Sequence, residues 1–598
     1  MTMAAWLLLA ISTLTALQDW KRVAPYEGLR WNGDAAEVRV DDAWYELAAI
    51  DGVTTADLLR AARTRYGGKW EERFAEDIYE VMVGAGHEPG ATVSFDLVDL
   101  ATRAKVHRDG VSMDAAKRRE LMRARREANS AARRPTDAAA RRPQAPLARA
   151  DAKADLAHLS AELRGGYSYW FRGGADFERR RAEIEAALPE TTTVGRFARD
   201  VQELLALLGD GHTQLQDFDE QVPPGWLPFL VEAADGRFVA LKPERDGFVD
   251  DAHRELVALD GRPLAEWLAA AARFAARGHE EFVRRESMRS LRRLALLREV
   301  LGLPAAPKVK VTLAAADGRR RELELDVAER KPVYGIWPRA KTHRLDDGTG
   351  YLRIESMEKD PAFLARLGAD LDAFADAPGL VIDVRGNGGG SRAALRELLP
   401  RLMRVDEPLA IVNVAARRVV AGEPADGPEG SLVDRFLFPA TASTWSAEER
   451  AGVAAFLAKF RPSVALPARD FTAWHVMGVR AALQVGAKRI AGPVVVLQDG
   501  GCFSATDVFL AALHGRSGVT TVGTISGGGS GRAQRLALPR SGLQLRASTM
   551  ASFRPDGSAY DGVGIAPDVV VAPAAEDLVG RGDAQLDAAR RELAKRRR

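Results

Sequence analysis

Ser504 sits where a serine is made reactive. Residues 493–515 read PVVVLQDGGCFSATDVFLAALHG: an apolar run from Val494 to Leu497, a turn at Gly500 and Gly501, the serine, then an apolar, Ala-rich helix from Ala505 towards His514. Strand, tight turn, hydroxyl and helix push the Oγ out of the backbone. The helix N-terminus offers unpaired N–H groups and the positive end of its dipole. An oxyanion forming beside Ser504 would rest on those N–H groups, Ala505 first among them. The plainer alternative is a helix N-cap, with Ser504 capping and Asp507 at the third helical position in a variant of the capping box.

A second glycine-rich turn lies at 386–391, between the strand-like GLVIDV and a helix. Gly386, Gly388 and Ser391 come close to a dinucleotide fingerprint, but the third position is Ser391, and Asp406 and Glu407 follow the helix with no strand between. The backbone N–H groups of Gly388 and Gly389 instead suit a nest for a developing oxyanion. The loop Ile525–Arg532 lacks the Gly-Lys-Ser/Thr of a phosphate loop, and no HExxH or EF-hand pattern is present, so neither a metal nor a cofactor is called for. His212, one of 9 histidines, stands on the glycine-flanked turn LGDGHTQL after a leucine-rich helix. That place leaves an imidazole free to be aimed.

These groups need a large scaffold to hold them. The chain has 598 residues, enough for about three or four domains. Its 46% hydrophobic and 28% charged content is that of ordinary globular protein, and a net charge of +2 gives no global pull towards nucleic acid. The single cysteine, Cys502, excludes an intrachain disulfide and a cysteine metal cluster. Residues 1–18 carry a short apolar core followed by small residues, as an export signal does, although the basic start is missing; export to the periplasm or the cell exterior is the expectation, with a cytoplasmic protein as the alternative. No later run is long enough to span a bilayer.

Residues 20–112 alternate strand-like and helical runs and read as an α+β accessory domain. Residues 113–150, rich in Arg, Pro and Ala, read as a basic helix running into a linker; no aromatics interleave with the arginines, so single-stranded nucleic acid is not indicated. Residues 151–221 are helical by period and carry His212. Residues 222–330 hold a strand, an Asp260-Gly261 turn, a helix, a basic helical insert over about 267–303, and a hairpin around Asp317-Gly318. That order resembles a PDZ domain, a module that takes an extended peptide as an added strand. Residues 331–575 repeat strand–turn–helix units, the pattern of a layered α/β domain. Residues 576–598 read as a frayed charged tail.

Taken in order, these stretches resemble the C-terminal processing (tail-specific) serine peptidase family over residues 151–575. The strand GYLRI precedes "D-x-R-x-N-x-GG", here Asp383, Arg385, Asn387, Gly389 and Gly390; the nucleophile block is Gly501-Cys502-Phe503-Ser504-Ala505-Thr506-Asp507; the close is Pro555-Asp556-Gly557 and Gly562 to Val571. The resemblance implies a multidomain α/β protein with a layered ClpP/crotonase-like catalytic core, a PDZ-like domain and a helical segment, and it implies Ser504 as nucleophile. The bacterial branch carries a lysine in the loop after the nucleophile, and here Gly529 fills that place. The tricorn-core-like branch instead uses a histidine in "LxDxH", which implies His212 as base, with the acid just before the closing motif, at Asp561. Ala505 with Gly388 or Gly389 would form the oxyanion hole. The implied activity is a serine endopeptidase acting on protein or peptide substrates through an acyl-enzyme. A peptide- or apolar-ligand-binding protein on the same fold, and an esterase with the same triad, are the alternatives.

Overall fold

The computed structural model describes residues 23–32, 35–66, 70–132, 143–420, 426–467 and 469–596; the export segment expected over residues 1–18 lies outside them. Among the described residues no helix is long and apolar enough to cross a membrane. The chain is a multidomain mixed α/β protein built round three larger sheets.

The first sheet is antiparallel, with Gly28–Asn32, Ala35–Val40, Ala43–Ile50, Thr92–Asp99 and Lys105–Ser112 in spatial order. Its buried face, Val38, Ile50 and Phe95 among others, packs on the helices between residues 55 and 84. The basic helix expected at the start of residues 113–150 is present. Ala115–Ala132 is a helix anchored on this core: Leu121 is buried, and Arg118 donates through Nε to the Glu76 carbonyl (2.7 Å) and through Nη2 to Asp77 (3.0 Å). Pro146–Ala148 already pairs with Thr191–Thr193 of the following unit. An arginine-rich run looks solvated in composition, yet a buried guanidinium is stable once its donors are matched.

Across residues 230–326 the strands Leu230–Ala234, Arg237–Leu241, Glu255–Leu259, Lys308–Ala314 and Arg320–Asp326 form a second antiparallel sheet. Three helices, Leu264–Ala272, Glu280–Leu291 and Leu294–Val300, interrupt it between the third and fourth strands. The expected Asp260-Gly261 turn is present, with φ of 46° and 75°.

The third sheet runs in the order His343–Arg344, Gly350–Arg353, Leu380–Asp383, Val494–Gln498, Val519–Gly523, Val569–Val570 and is parallel from the second strand onward. All five residues of Val494–Gln498 are buried, as an interior parallel strand covered on both faces requires. One face is covered by the helices Pro361–Phe374, Ala393–Leu402 and Ala505–Leu513. The other is covered by Ala584–Arg596, whose Ala588, Ala589 and Leu593 lie against Tyr351, Val381, Val495 and Leu497. Residues 584–596, expected as part of a frayed tail at 576–598, are therefore packed on the sheet. The apolar positions hidden among the charges fall on one helical face, and Arg385, wholly buried, ties the start of this helix to the strand ends through Asp383 and Asp583. Burial pushes the Asp383 carboxyl up, but the Arg385 and Arg353 guanidinium groups outweigh it and hold it below the ordinary carboxylate value. Leu593→Ala is expected to cost about 2–3 kcal/mol, the price of an unfilled cavity under the sheet. A lower urea midpoint would show it; an unchanged midpoint would mean that the helix adds nothing to the core.

Candidate active site

Ser504 ends the turn after Val494–Gln498 and has φ 62° and ψ −117°, a strained backbone for a residue with a Cβ. The neighbouring turn imposes it. Gly386 and Gly501 approach so closely that a Cβ on Gly501 would lie 2.7 Å from the Gly386 Cα. Gly389 (φ 99°) lies against the nucleophile, where a Cβ would meet the Ser504 Cβ at 2.7 Å. Asn387 locks the two turns: its Oδ1 accepts from the Gly389 N–H (2.9 Å) and the Thr506 hydroxyl (2.9 Å), and its carbonyl accepts from the Phe503 N–H (3.1 Å). The N-cap alternative fails, because the Ser504 side chain makes no capping bond. Its Oγ lies 3.0 Å from His212 Nε2 instead.

His212 reaches Ser504 because its segment is stitched to the far end of the chain. Helix Val194–Ala206 starts under a Thr193 cap (3.2 Å to the Arg196 N–H) and buries Val201, Leu204 and Leu205. Gly209 (φ 71°) ends that run. Gln214–Leu215 then pairs antiparallel with Leu545–Arg546, and the Ser548 N–H donates to Thr213 Oγ1 at 3.0 Å. The His212 ring lies on Phe503 with centroids 4.6 Å apart, and Phe282 from the Glu280–Leu291 helix stacks on the outer face of Phe503 at 6.2 Å.

Two buried carboxylates stand behind the imidazole. Asp210 Oδ1 is 3.6 Å from His212 Nδ1, and Asp561 joins them in a cluster whose ligand atoms all lie within 4.8 Å of one another. Nδ1 is buried and makes no hydrogen bond among the described residues, the two carboxylates included. Both carboxylates are already engaged: Asp210 accepts from the His212 N–H (2.9 Å) and the Thr213 hydroxyl (2.7 Å), and Asp561 from the Tyr169 hydroxyl (2.6 Å) and the Ser530 N–H (3.1 Å). Donors of this kind suit a group that orients an imidazole better than a metal centre, whose carboxylates would have to spend those lone pairs on the ion. Asp210 and Tyr169 escaped the sequence reading. Asp210 lies within LGDGHTQL itself and was visible there; Tyr169 carries no spacing signal.

Burial raises the Asp561 carboxyl to about 6, the Asp210 charge adds to the rise, and His212 and the Tyr169 hydroxyl oppose it. A carboxyl held above its unfolded value takes up its proton as pH falls through about 6, and its charged form lowers stability above that pH, relaxing on the way down. If Asp561 must be ionised to act, turnover is expected to fall on an acid limb near pH 6 rather than near the ordinary value of about 4. Tyr169→Phe removes a donor that holds the group down, so the limb should move to higher pH. A limb that stays put in Tyr169→Phe would dissociate it from Asp561.

Of the anticipated oxyanion donors, Gly389 is corrected: its N–H is spent on Asn387, as the left-handed turn demands. The Ala505 and Gly388 N–H groups make no hydrogen bond to protein among the described residues. The loop at the place of the lysine is held by buried Asp507, which accepts from the Ser526 hydroxyl and the N–H groups of Gly528 (3.2 Å) and Gly529 (3.0 Å). A Cβ on Gly529 would meet the Phe503 ring at 2.5 Å and His212 Cε1 at 3.1 Å. The space a lysine would need is filled by the histidine and its aromatic support.

The fold and this arrangement define a layered α/β domain with a strained serine facing an imidazole. Residues 348–571 match the model of peptidase family S41, and the chain carries a peptidase family S41 domain. A 79-residue stretch is 35% identical to the carboxy-terminal-processing protease of Bartonella bacilliformis, spanning 13% of this chain and 18% of that relative, so the match covers under a fifth of the relative's length. Mature CPAF shares the fold, with a TM-score of 0.55 at 17% identity over 75% of this chain and 98% of that one. A mutant form of CPAF aligns at 0.56 and 18% identity, over 75% and 97%.

Proposed function

We propose that this chain is a serine endopeptidase that cuts unfolded or processed protein segments through an acyl-enzyme. The observation that carries the reading is the 3.0 Å contact of Ser504 Oγ with His212 Nε2, held by a strained backbone beside two unpaired N–H groups. Ser504 Oγ passes its proton to Nε2 as it attacks the peptide carbonyl carbon. The oxyanion takes hydrogen bonds from Ala505 and Gly388, and loss of one such donor costs about 3–4 kcal/mol. Nε2 then protonates the leaving amine, the C–N bond breaks, and water, deprotonated by the same nitrogen, releases the acyl group. Asp561, with Asp210 beside it, keeps the Nδ1 proton in place and stabilises the imidazolium.

The sheet of residues 222–330 is read as a PDZ-like module that presents an extended substrate, residues 20–112 as an accessory domain, and the protein as one that works outside the cytoplasm. Incubation of residues 19–598 with unfolded casein, beside Ser504→Ala, tests the activity by mass spectrometry of the fragments. Cleavage by wild type alone supports the reading. Intact casein with wild type, together with tight peptide binding, would turn it to a non-catalytic binding protein; turnover of small esters without peptides would turn it to an esterase.

A further inference from the structure

Beside Ser504 lies a cavity of about 440 Å³ floored by Gly386, Gly388, Gly500, Gly501 and Phe503 and roofed by the Glu280–Leu291 helix. Its walls are charged, and unevenly. Five cations, Arg285, Arg289, Arg292, Arg293 and Lys331, face two carboxylates, Asp219 and Glu286. Each carboxylate is shared: Glu286 accepts from Arg285 (3.0 Å) and Arg289 (2.9 Å), and Asp219 from Arg293 (2.6 Å) and Lys331. Arg292 is left with a 4.0 Å approach to Glu232 and the face of Tyr334 at 4.3 Å, and its buried Nε has no protein acceptor. Desolvation lowers the Arg292 pKa, Tyr334 and Glu232 oppose it, and the Arg289 and Arg245 charges add to the fall, so the counter-charge present does not offset the burial.

Arg285 brings this excess to the reaction centre. Its Nη2 would lie 3.2 Å from a Cβ on Gly501, three residues before the nucleophile. A second cavity of about 520 Å³ continues from the same arginines and contains Arg245, which pairs with Glu232 through Nη2 while its buried Nε and Nη1 lack an acceptor. The wall is built by the helical insert between the third and fourth strands of the second sheet, a separate element from the serine and its base.

We propose that this basic wall binds a substrate carboxylate next to the bond being cut, so that the enzyme selects acidic peptides. Arg285 and Arg292 are the specificity residues, and guanidinium forks suit the task because they bind a carboxylate through two parallel N–H groups. The inference rests on the peptidase reading for its turnover arm only. Two sources supply the chemistry: an Asp or Glu side chain flanking the scissile bond, or the free terminus of a short chain.

The test uses the full chain and a library of quenched fluorescent peptides. Matched pairs carry Glu or Gln beside the bond, each with a free or an amidated terminus. Wild type is expected to favour the carboxylate member of a pair by about 10- to 100-fold in kcat/KM, the scale of a charge-assisted hydrogen bond to a desolvated partner. The preference should shrink with added salt. Arg285→Gln with Arg292→Gln should erase it, so that the Glu and Gln members of each pair are cut by that variant at equal rates. A preference that survives amidation assigns the side chain; one lost on amidation assigns the terminus. Equal rates for all four peptides, or a preference unchanged in the double variant, overturn the proposal. Fluorescence anisotropy of the same peptide sequences, labelled without the quencher, on Ser504→Ala keeps it testable without turnover. Selective binding of the acidic peptides there, with no cleavage by wild type, would sink the peptidase reading and leave the carboxylate site standing; indifferent binding would sink the site.

Discussion

His212→Ala is expected to lower peptide turnover by about 10⁴-fold or more, close to the loss in Ser504→Ala, with little change in KM. The two losses should not add, because Oγ and Nε2, 3.0 Å apart, act as one unit. The variant should remain folded: the turn around residue 212 is held by the Asp210 carboxylate, by Thr213 and by strand Gln214–Leu215, none of which needs the imidazole ring. The comparison also tests the rival base. Were a distant lysine the proton acceptor, His212→Ala would keep most of its activity while Ser504→Ala lost it. A lysine at position 529 itself is opposed on steric grounds. Any residue other than glycine at 529 drives its Cβ into Phe503, so Gly529→Lys should cost activity rather than rescue His212→Ala. Single-turnover kinetics on the three variants would decide between the two bases.

The second large effect is at the acid. Asp561→Asn is expected to reduce kcat by about 10³- to 10⁴-fold, since an amide can turn its N–H₂ towards Nδ1 and favour the wrong imidazole tautomer. Asp561 is 1% exposed and fixed by Tyr169 and Ser530, so the substitution changes charge more than shape. Asp210→Asn is the control. Asp210 lies 3.6 Å from Nδ1, but its oxygens also hold the His212 and Thr213 turn. If Asp561 is the orienting acid, its variant shows the larger fall and loses the acid limb near pH 6, whereas Asp210→Asn, by removing the neighbouring charge that helps raise Asp561, shifts that limb to lower pH. The reverse ranking would transfer the role to Asp210.

Much of the nucleophile's setting was legible in one stretch of chain because its causes are local. An apolar β-branched run, two glycines and an Ala-rich helix in 22 or so residues dictate strand, turn and helix through backbone sterics and burial alone. The same holds for the Asp260-Gly261 turn and the 308–326 hairpin, both found where composition put them. The helix at 584–596 was misjudged for the converse reason. Its Ala588, Ala589 and Leu593 are too few to announce a core helix, and only the sheet face they cover makes their spacing meaningful. The basic helix opening residues 113–150 was legible, but its anchoring was not: Arg118 looks solvated in sequence and is buried against Glu76 and Asp77 in space.

Residue type and short-range spacing thus marked Ser504 as a candidate nucleophile between a strand, a turn and a helix, and the ordered motifs pointed to His212 and Asp561. Tertiary structure alone decided that a histidine 292 residues away meets that serine, that a tyrosine 392 residues from Asp561 holds its carboxylate, and that Gly389 spends its N–H on Asn387. It also decided that an arginine-rich insert roofs the site. These are contacts between segments with no shared period or turn. Their energies depend on distance and desolvation, quantities that exist only once the chain has closed its long loops.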